Sequence, residues 1–81
     1  MFYVYVLKSL KDCKKYIGFT KNLQERFRQH NNGEVKASKS RRPFELIYYE
    51  AYKNETQARK QELFYKTGQG RRILNKKLED E

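Results

Sequence analysis

The side chains in this 81-residue sequence whose types and spacing could do chemistry on a phosphate are two tyrosines (Tyr5, Tyr16), an arginine and a histidine one helical turn apart (Arg26, His30), and one carboxylate (Glu62). Tyr3-Val4-Tyr5 and Tyr16-Ile17-Gly18 read as pieces of two strands, in which alternate residues share a face. A hairpin that pairs Tyr5 with Gly18 and Leu7 with Tyr16 puts both hydroxyls on the same side. Gly18 then leaves an open floor beside Tyr5, where a phosphate or the chain's own backbone could approach closely. A single strand tyrosine commonly just fills a sheet–helix interface; two at this spacing, with a glycine between them, favour a site. Arg26 and His30 fall on one helical face at the margin of a Leu23/Phe27 stripe. A guanidinium there can grip two phosphate oxygens and stabilise charge that builds during cleavage, and His30, the only histidine, can hydrogen-bond the phosphate or pass a proton. Taken alone, Arg26 equally suits a surface cation with a packed stem, and His30 an ordinary helix residue. Glu62 lies in a stripe with Ala58 and Tyr65 that otherwise suits packing, and a lone carboxylate there is costly unless a cation or metal compensates it. Lys66, one turn further on, could do so as a simple ion pair.

The elements that must position these groups follow from pattern. Phe2 to Lys8 is aromatic and β-branched throughout, as in a strand covered on both faces, and Lys15 to Thr20 repeats the character after a turn over Ser9 to Lys14. Asn22 with Glu25 makes a capping box for a helix that carries Leu23, Phe27 and His30 on one side and ends at Gly33. Glu34 to Arg42 has no apolar period and reads as a mobile basic loop closing on Pro43. Phe44 to Tyr52 is a third strand, with Phe44, Leu46 and Tyr48 alternating against Ile47, Tyr49 and Ala51. Asn54 opens a helix running to about Lys66, which Thr67-Gly68 stops, and a last helix spans about Gly70 to Leu78 before an acidic tail, Glu79 to Glu81, that is expected to fray. The order is ββαβαα: an α+β class domain, residues 1–81, with a small three-stranded antiparallel sheet flanked by helices.

Nineteen Lys and Arg against ten Asp and Glu leave a formal charge of +9, which favours a polyanionic partner, nucleic acid first. Lys36, Lys39, Arg41, Arg42, Lys66, Arg71 and Arg72 are the candidate phosphate contacts, with Lys76 and Lys77 beside them, and none brings obvious base-reading chemistry. No apolar run approaches the ~20 residues of a membrane span, so no membrane partner is expected and the chain reads as soluble and unprocessed. Cys13, the single cysteine, allows neither an internal disulfide nor a thiolate zinc site, and suits a reducing, cytoplasmic setting as an incidental turn residue.

The ordered set of motifs resembles the GIY-YIG nuclease domain. Tyr3-Val4-Tyr5 stands where that family has its first triplet, with Tyr3 in place of the glycine; Tyr16-Ile17-Gly18 matches the second letter for letter. The likeness continues through the Asn22 to Asn31 segment with its Arg26 and His30, and through the Ala58-x-x-x-Glu62 helix, so that it covers nearly all of the chain. The resemblance implies a nucleic-acid phosphodiesterase with Tyr5, Tyr16, Arg26, His30, Glu62 and Asn75 as its catalytic set. In that set Tyr5 orients or deprotonates the attacking water, Tyr16 assists, and Arg26 and His30 stabilise the phosphate. Glu62 is the sole protein ligand of one divalent metal, Mg²⁺ or Mn²⁺, and Asn75 helps position the phosphate or is a solvated helix residue. The Lys66-Thr67-Gly68-x-Gly70-Arg71-Arg72 stretch is similar to one in small stand-alone members of the family. DNA stands ahead of RNA as the partner, and strandedness, sequence preference and oligomeric state stay open. A rival is a nucleic-acid-binding module on the same scaffold that cleaves slowly or not at all. A third reading, an aromatic-sheet RNA binder stacking bases on Tyr3, Tyr5 and Phe19, conflicts with two strands preceding the first helix.

Overall fold

The computed structural model describes residues 1–79. Seven elements follow one another: β1 (Phe2–Ser9), β2 (Lys15–Thr20), α1 (Leu23–Asn31), a single 3₁₀ turn (Lys39–Arg41), β3 (Phe44–Tyr52), α2 (Glu55–Tyr65) and α3 (Gly68–Glu79). The expected ββαβαα order is the observed one. Asn22 and Asn54 each accept a backbone N–H three residues on, from Glu25 and Gln57, and so start α1 and α2. Helix α3 begins at Gly68, earlier than its hydrophobic pattern suggests, because the Thr67 hydroxyl accepts the Gly70 N–H at 3.0 Å while donating to the Phe64 carbonyl. A Cβ on Gly70 would meet the Phe64 carbonyl oxygen at 1.8 Å, so only glycine lets α3 leave α2 this sharply. Glu79 closes α3 as a helical residue; the fraying expected for Asp80 and Glu81 lies outside the described residues.

The sheet is antiparallel with order β2-β1-β3, which puts the apolar β1 in the centre and buries it on both faces. One face carries Tyr5 and Leu7 and packs with Phe44 against Leu23 and Phe27 of α1. The other carries Val4 and Val6 and packs against Ala58 and Tyr65 of α2 and Leu74 of α3. Strand β3 departs from simple alternation. Tyr48 pairs with Val6 but Leu46 pairs with Leu7, so Ile47 is an extra residue, a β-bulge. Ile47 and Tyr48 therefore both turn to the α2/α3 face, and Tyr49 emerges on the same side as Phe44 and Leu46, which corrects the expected grouping of Tyr48 with Phe44 and Leu46.

Behind the bulge, Tyr48, Glu50 and Tyr52 share the α2/α3 face, and the Glu50 carboxylate accepts the hydroxyls of Tyr48, Tyr52 and Tyr65 and the ammonium of Lys77. Lys77 also donates to the Tyr65 hydroxyl at 2.8 Å, so it clamps α3 to the sheet. Burial alone pushes the Glu50 carboxyl up, but the four hydrogen bonds outweigh it and hold the group below the ordinary glutamate range. A depressed folded-state pKa contributes stability that is present above the unfolded value, about 4.3, and lost as pH falls through the folded one. Glu50→Gln should therefore cost about 1.5–3 kcal/mol in urea unfolding at neutral pH. The gap between variant and wild type should narrow on acidification below the glutamate range; equal stability at pH 7 would remove Glu50 from this role.

Candidate functional site

Tyr5 and Gly18 are cross-strand partners, as are Leu7 and Tyr16, so both tyrosines do share one face. The floor at Gly18 is not open to a ligand. A Cβ there would stand 2.3 Å from the Tyr5 hydroxyl, because the Tyr5 ring itself lies across the glycine. From that position the hydroxyl meets His30 Nε2 at 2.8 Å, and His30 Nδ1 meets the Ser38 hydroxyl at 2.6 Å. Tyr5 is 1% exposed, and His30 and Ser38 are fully buried. Burial, and then the charge of Arg26, push the His30 pKa down to about 4, so the ring is neutral near pH 7 with one N–H and one lone pair. The Ser38 hydroxyl is also placed to donate to the Val35 carbonyl, at 3.5 Å. Ser38 donating to Val35 goes with His30 Nδ1–H donating to Ser38 and Tyr5 donating to His30 Nε2; Ser38 donating instead to His30 Nδ1 goes with His30 Nε2–H donating to Tyr5. In either tautomer His30 is held behind Tyr5, and its full burial keeps it from direct contact with a phosphate.

This chain of bonds also corrects the reading of Glu34 to Arg42 as a mobile loop. Val35 and Ser38 are buried, Ser9 Oγ donates to the Arg41 carbonyl, the Pro43 carbonyl accepts from Leu10 N–H, and Arg41 pairs with Asp12 at 3.4 Å. The segment is fastened to the β1–β2 turn and to α1. Ser38 had no local signal in the sequence; Val35, an isolated apolar residue in a basic stretch, was the one hint of anchoring.

Arg26 and Tyr16 complete the group. Burial pushes the Tyr5 phenol above its ordinary value; the Arg26 guanidinium, close enough to hydrogen-bond it, opposes that rise, and the charges of Tyr16 and Glu62 add to it. The Tyr16 ring packs edge-on against His30, with centroids 4.9 Å apart. Tyr5, Tyr16, Arg26 and His30 therefore stand together, whereas Glu62 reaches this group only through a small charge effect on Tyr5.

Tyr16 is the tyrosine that opens outward. It lines a cleft of 590 Å³ together with Lys14, Lys15, Arg41, Lys66, Arg71 and Asn75. Asn75 thus stands in the same cleft as Tyr16. Lys14 and Lys15, missed in the sequence because they look like generic turn residues, belong to it as well. The other expected cations divide: Lys36, Lys39 and Arg42 line a separate hollow with Lys11, and Arg72 is exposed and lines neither.

Glu62 presents a carboxylate whose side chain is 14% exposed and paired with Lys66 Nζ at 3.0 Å, itself 46% exposed. Such an ion pair on a helix surface is worth about 0–1 kcal/mol and yields readily to a stronger cation. Among the described residues no three His, Cys, Asp or Glu side chains converge to cage a metal. Glu62 itself does not line the cleft, though its partner Lys66 does; a single carboxylate suits a hard divalent ion that keeps most of its waters, and does not suit a structural zinc.

Three comparisons bear on this arrangement. A UPF0213 protein of Clostridium perfringens is 42% identical over 67 residues, covering 82% of this chain and 71% of that protein, and one of Staphylococcus saprophyticus is 39% identical over 66 residues, covering 80% and 79%. The solution structure of a UPF0213 protein from Bacillus halodurans superimposes with a TM-score of 0.57 at 29% identity, covering 94% of this chain and 84% of that one. The sequence model of the GIY-YIG catalytic domain matches residues 1–77, and the chain belongs to the GIY-YIG family.

Proposed function

We propose that the protein is a metal-dependent endonuclease that hydrolyses nucleic-acid phosphodiester bonds, acting through this one domain. The observation that carries the reading is the buried Tyr5–His30–Ser38 chain beside Arg26, connected through the Tyr16 ring, which packs on His30, to a cleft ringed by cations.

The roles implied for the two tyrosines exchange places. Tyr16 faces the cleft, so its hydroxyl orients the attacking water, whereas Tyr5, 1% exposed, braces the site from behind. With the phenol raised and the imidazole at about 4, both groups stay neutral, and the Tyr5–His30 hydrogen bond fixes the site behind Tyr16 without passing a proton. Arg26 stabilises the negative charge that develops on the phosphate. Lys15, Lys66 and Arg71 guide the strand, and Asn75 positions the phosphate. Glu62, released from Lys66, would hold one Mg²⁺ or Mn²⁺, which when bound supplies Lewis-acid charge at the phosphate oxygens. The Glu62–Lys66 pair is also what favours the rival, a nucleic-acid-binding module whose carboxylate never takes a metal. DNA remains ahead of RNA as substrate, and the one free thiol, exposed Cys13, fits a reducing cytoplasm.

Metal-dependent turnover separates the two. Glu62→Gln should keep the fold and the affinity for nucleic acid while Mg²⁺-dependent cleavage falls about 10²-fold or more; cleavage at the wild-type rate would refute the carboxylate's role, and a wild type inert on every substrate would promote the binding module. Because His30 stays neutral across the working range, kcat/KM should show no histidine inflection near 6.5; a rate that halves as pH drops through that value would show that His30 titrates normally. Replacing Lys15 and Arg71 by Gln should lower the slope of log Kobs on log salt by about 0.7 to 0.9 for each cation removed. An unchanged slope would take the cleft out of the phosphate path.

A further inference from the structure

A second groove lies on the Tyr5 face of the sheet, away from the cationic cleft. Its walls are Tyr3 and Tyr49 from β1 and β3, Leu46, and Leu23 and Phe27 from α1, with Lys21 at its rim, and its volume is 490 Å³. The bulge at Ile47 creates it by turning Tyr49 onto this face. Tyr49 is 53% exposed, and its ring stands edge-on to Tyr3 with centroids 6.1 Å apart. Two aromatic rings with one open face, apolar walls and a cation at the edge form an environment for a flat, uncharged ring attached to a phosphate chain.

The groove is continuous with the catalytic face. Tyr49 is the cross-strand partner of Tyr5, about 5 Å away across the sheet, and Tyr3 is two residues from Tyr5 on the same face, about 7 Å along the strand. Phe27 follows Arg26 in α1. A nucleotide next to a phosphate held at Arg26 is thus within reach of Tyr49. Charge decides between occupants: with a formal charge of +9, a second copy of this chain is repelled, while a polyanion is drawn in. A base inside a duplex is stacked on its neighbours and cannot present its ring to Tyr49.

We propose, resting on the nuclease reading, that this groove is a stacking subsite for an unpaired base flanking the scissile phosphate, and that the substrate is single-stranded at the point of cleavage. Stacking is indifferent to base identity, so the subsite selects strandedness and not sequence. It also differs from the Tyr3, Tyr5 and Phe19 platform that the element order already disfavours: Phe19 lies on the opposite face beneath Arg59, Tyr5 is buried, and Tyr3 alone of that trio contributes.

The test uses the wild-type chain without added metal, a fluorescein-labelled thymidine oligonucleotide, and a duplex of equal length. Tyr49→Ala should weaken the single strand about 5- to 150-fold, the range of one base–aromatic stack, and leave the duplex unchanged, while Tyr49→Phe keeps both affinities. The chain has no tryptophan, so Tyr49→Trp supplies a single indole whose emission the single strand should quench and the duplex should not. Equal quenching by duplex, equal loss on both probes, or unaltered single-strand binding by Tyr49→Ala overturns the inference, as does a change in sedimentation of Tyr49→Ala, which would mark a copy-to-copy interface. Strand-selective quenching by a protein that cleaves nothing keeps the subsite and refutes the nuclease. Cleavage of single strands with unaltered KM in Tyr49→Ala refutes the subsite and keeps the nuclease.

Discussion

The bond between the Tyr5 hydroxyl and His30 Nε2 organises the rest of the molecule. Both groups are buried, and a buried polar atom without a partner costs about 1–3 kcal/mol, so each must be satisfied by a neighbour brought to it. Satisfying Tyr5 requires its ring to lie flat over β2, which only a glycine at position 18 permits. Satisfying His30 requires a hydroxyl on its far nitrogen, which Ser38 provides only if the segment after α1 folds back over the helix. One hydrogen-bond chain thus ties β1, β2, α1 and the basic segment together, and with it the relative placement of Arg26 and Tyr16. Local geometry and candidate chemistry share the same few atoms, so a substitution anywhere along the chain would disturb both.

The sheet separates two kinds of polar problem. On the Tyr5 face the polar groups form a neutral chain with Arg26 at its edge; on the opposite face a single carboxylate, Glu50, gathers three tyrosines and a lysine. The second cluster fixes α2 and α3 to the sheet, and these helices deliver Lys66, Arg71 and Asn75 to the side where Tyr16 emerges. Helix α2 packs over β1 and β2, so Glu62 lies on the far side of the sheet from Tyr5 and its charge is the smallest of the influences that raise the phenol. The bulge in β3 serves both faces at once, sending Tyr48 toward Glu50 and Tyr49 toward the groove.

Elements and register were legible because they rest on local rules. The capping asparagines, the period-two tyrosines and the glycine between them specify a hairpin whose pairing the structure reproduces residue for residue at Tyr5–Gly18 and Leu7–Tyr16. What was not legible depends on contacts distant in sequence. The bulge at Ile47 has no glycine or other local mark, because Ile47 and Tyr48 both suit a strand on either face. The anchoring of Ser38 depends on a histidine eight residues earlier being buried by strands on either side, and the open floor imagined at Gly18 ignored the ring of its own partner. The engagement of Lys77 came from a glutamate in β3 that, read locally, was simply a polar residue on a strand.

These engagements alter how the basic charge should be counted. Of the nineteen Lys and Arg residues, Arg28, Arg41, Arg59, Lys66 and Lys77 face carboxylates within the chain, so their charge is partly spent before any ligand arrives. Of the other fourteen, seven are grouped: Lys14, Lys15 and Arg71 at the Tyr16 cleft, and Lys11, Lys36, Lys39 and Arg42 in the hollow on the basic segment. On the proposed reading, lysines and arginines placed this way would contact phosphates at two separate points and leave base edges unread, so affinity would come from the backbone and its salt dependence. Selectivity would then arise where the strand leaves the cations. On this molecule that place is the Tyr5 face, where the charge thins to Arg26 and Lys21 and the surface turns aromatic.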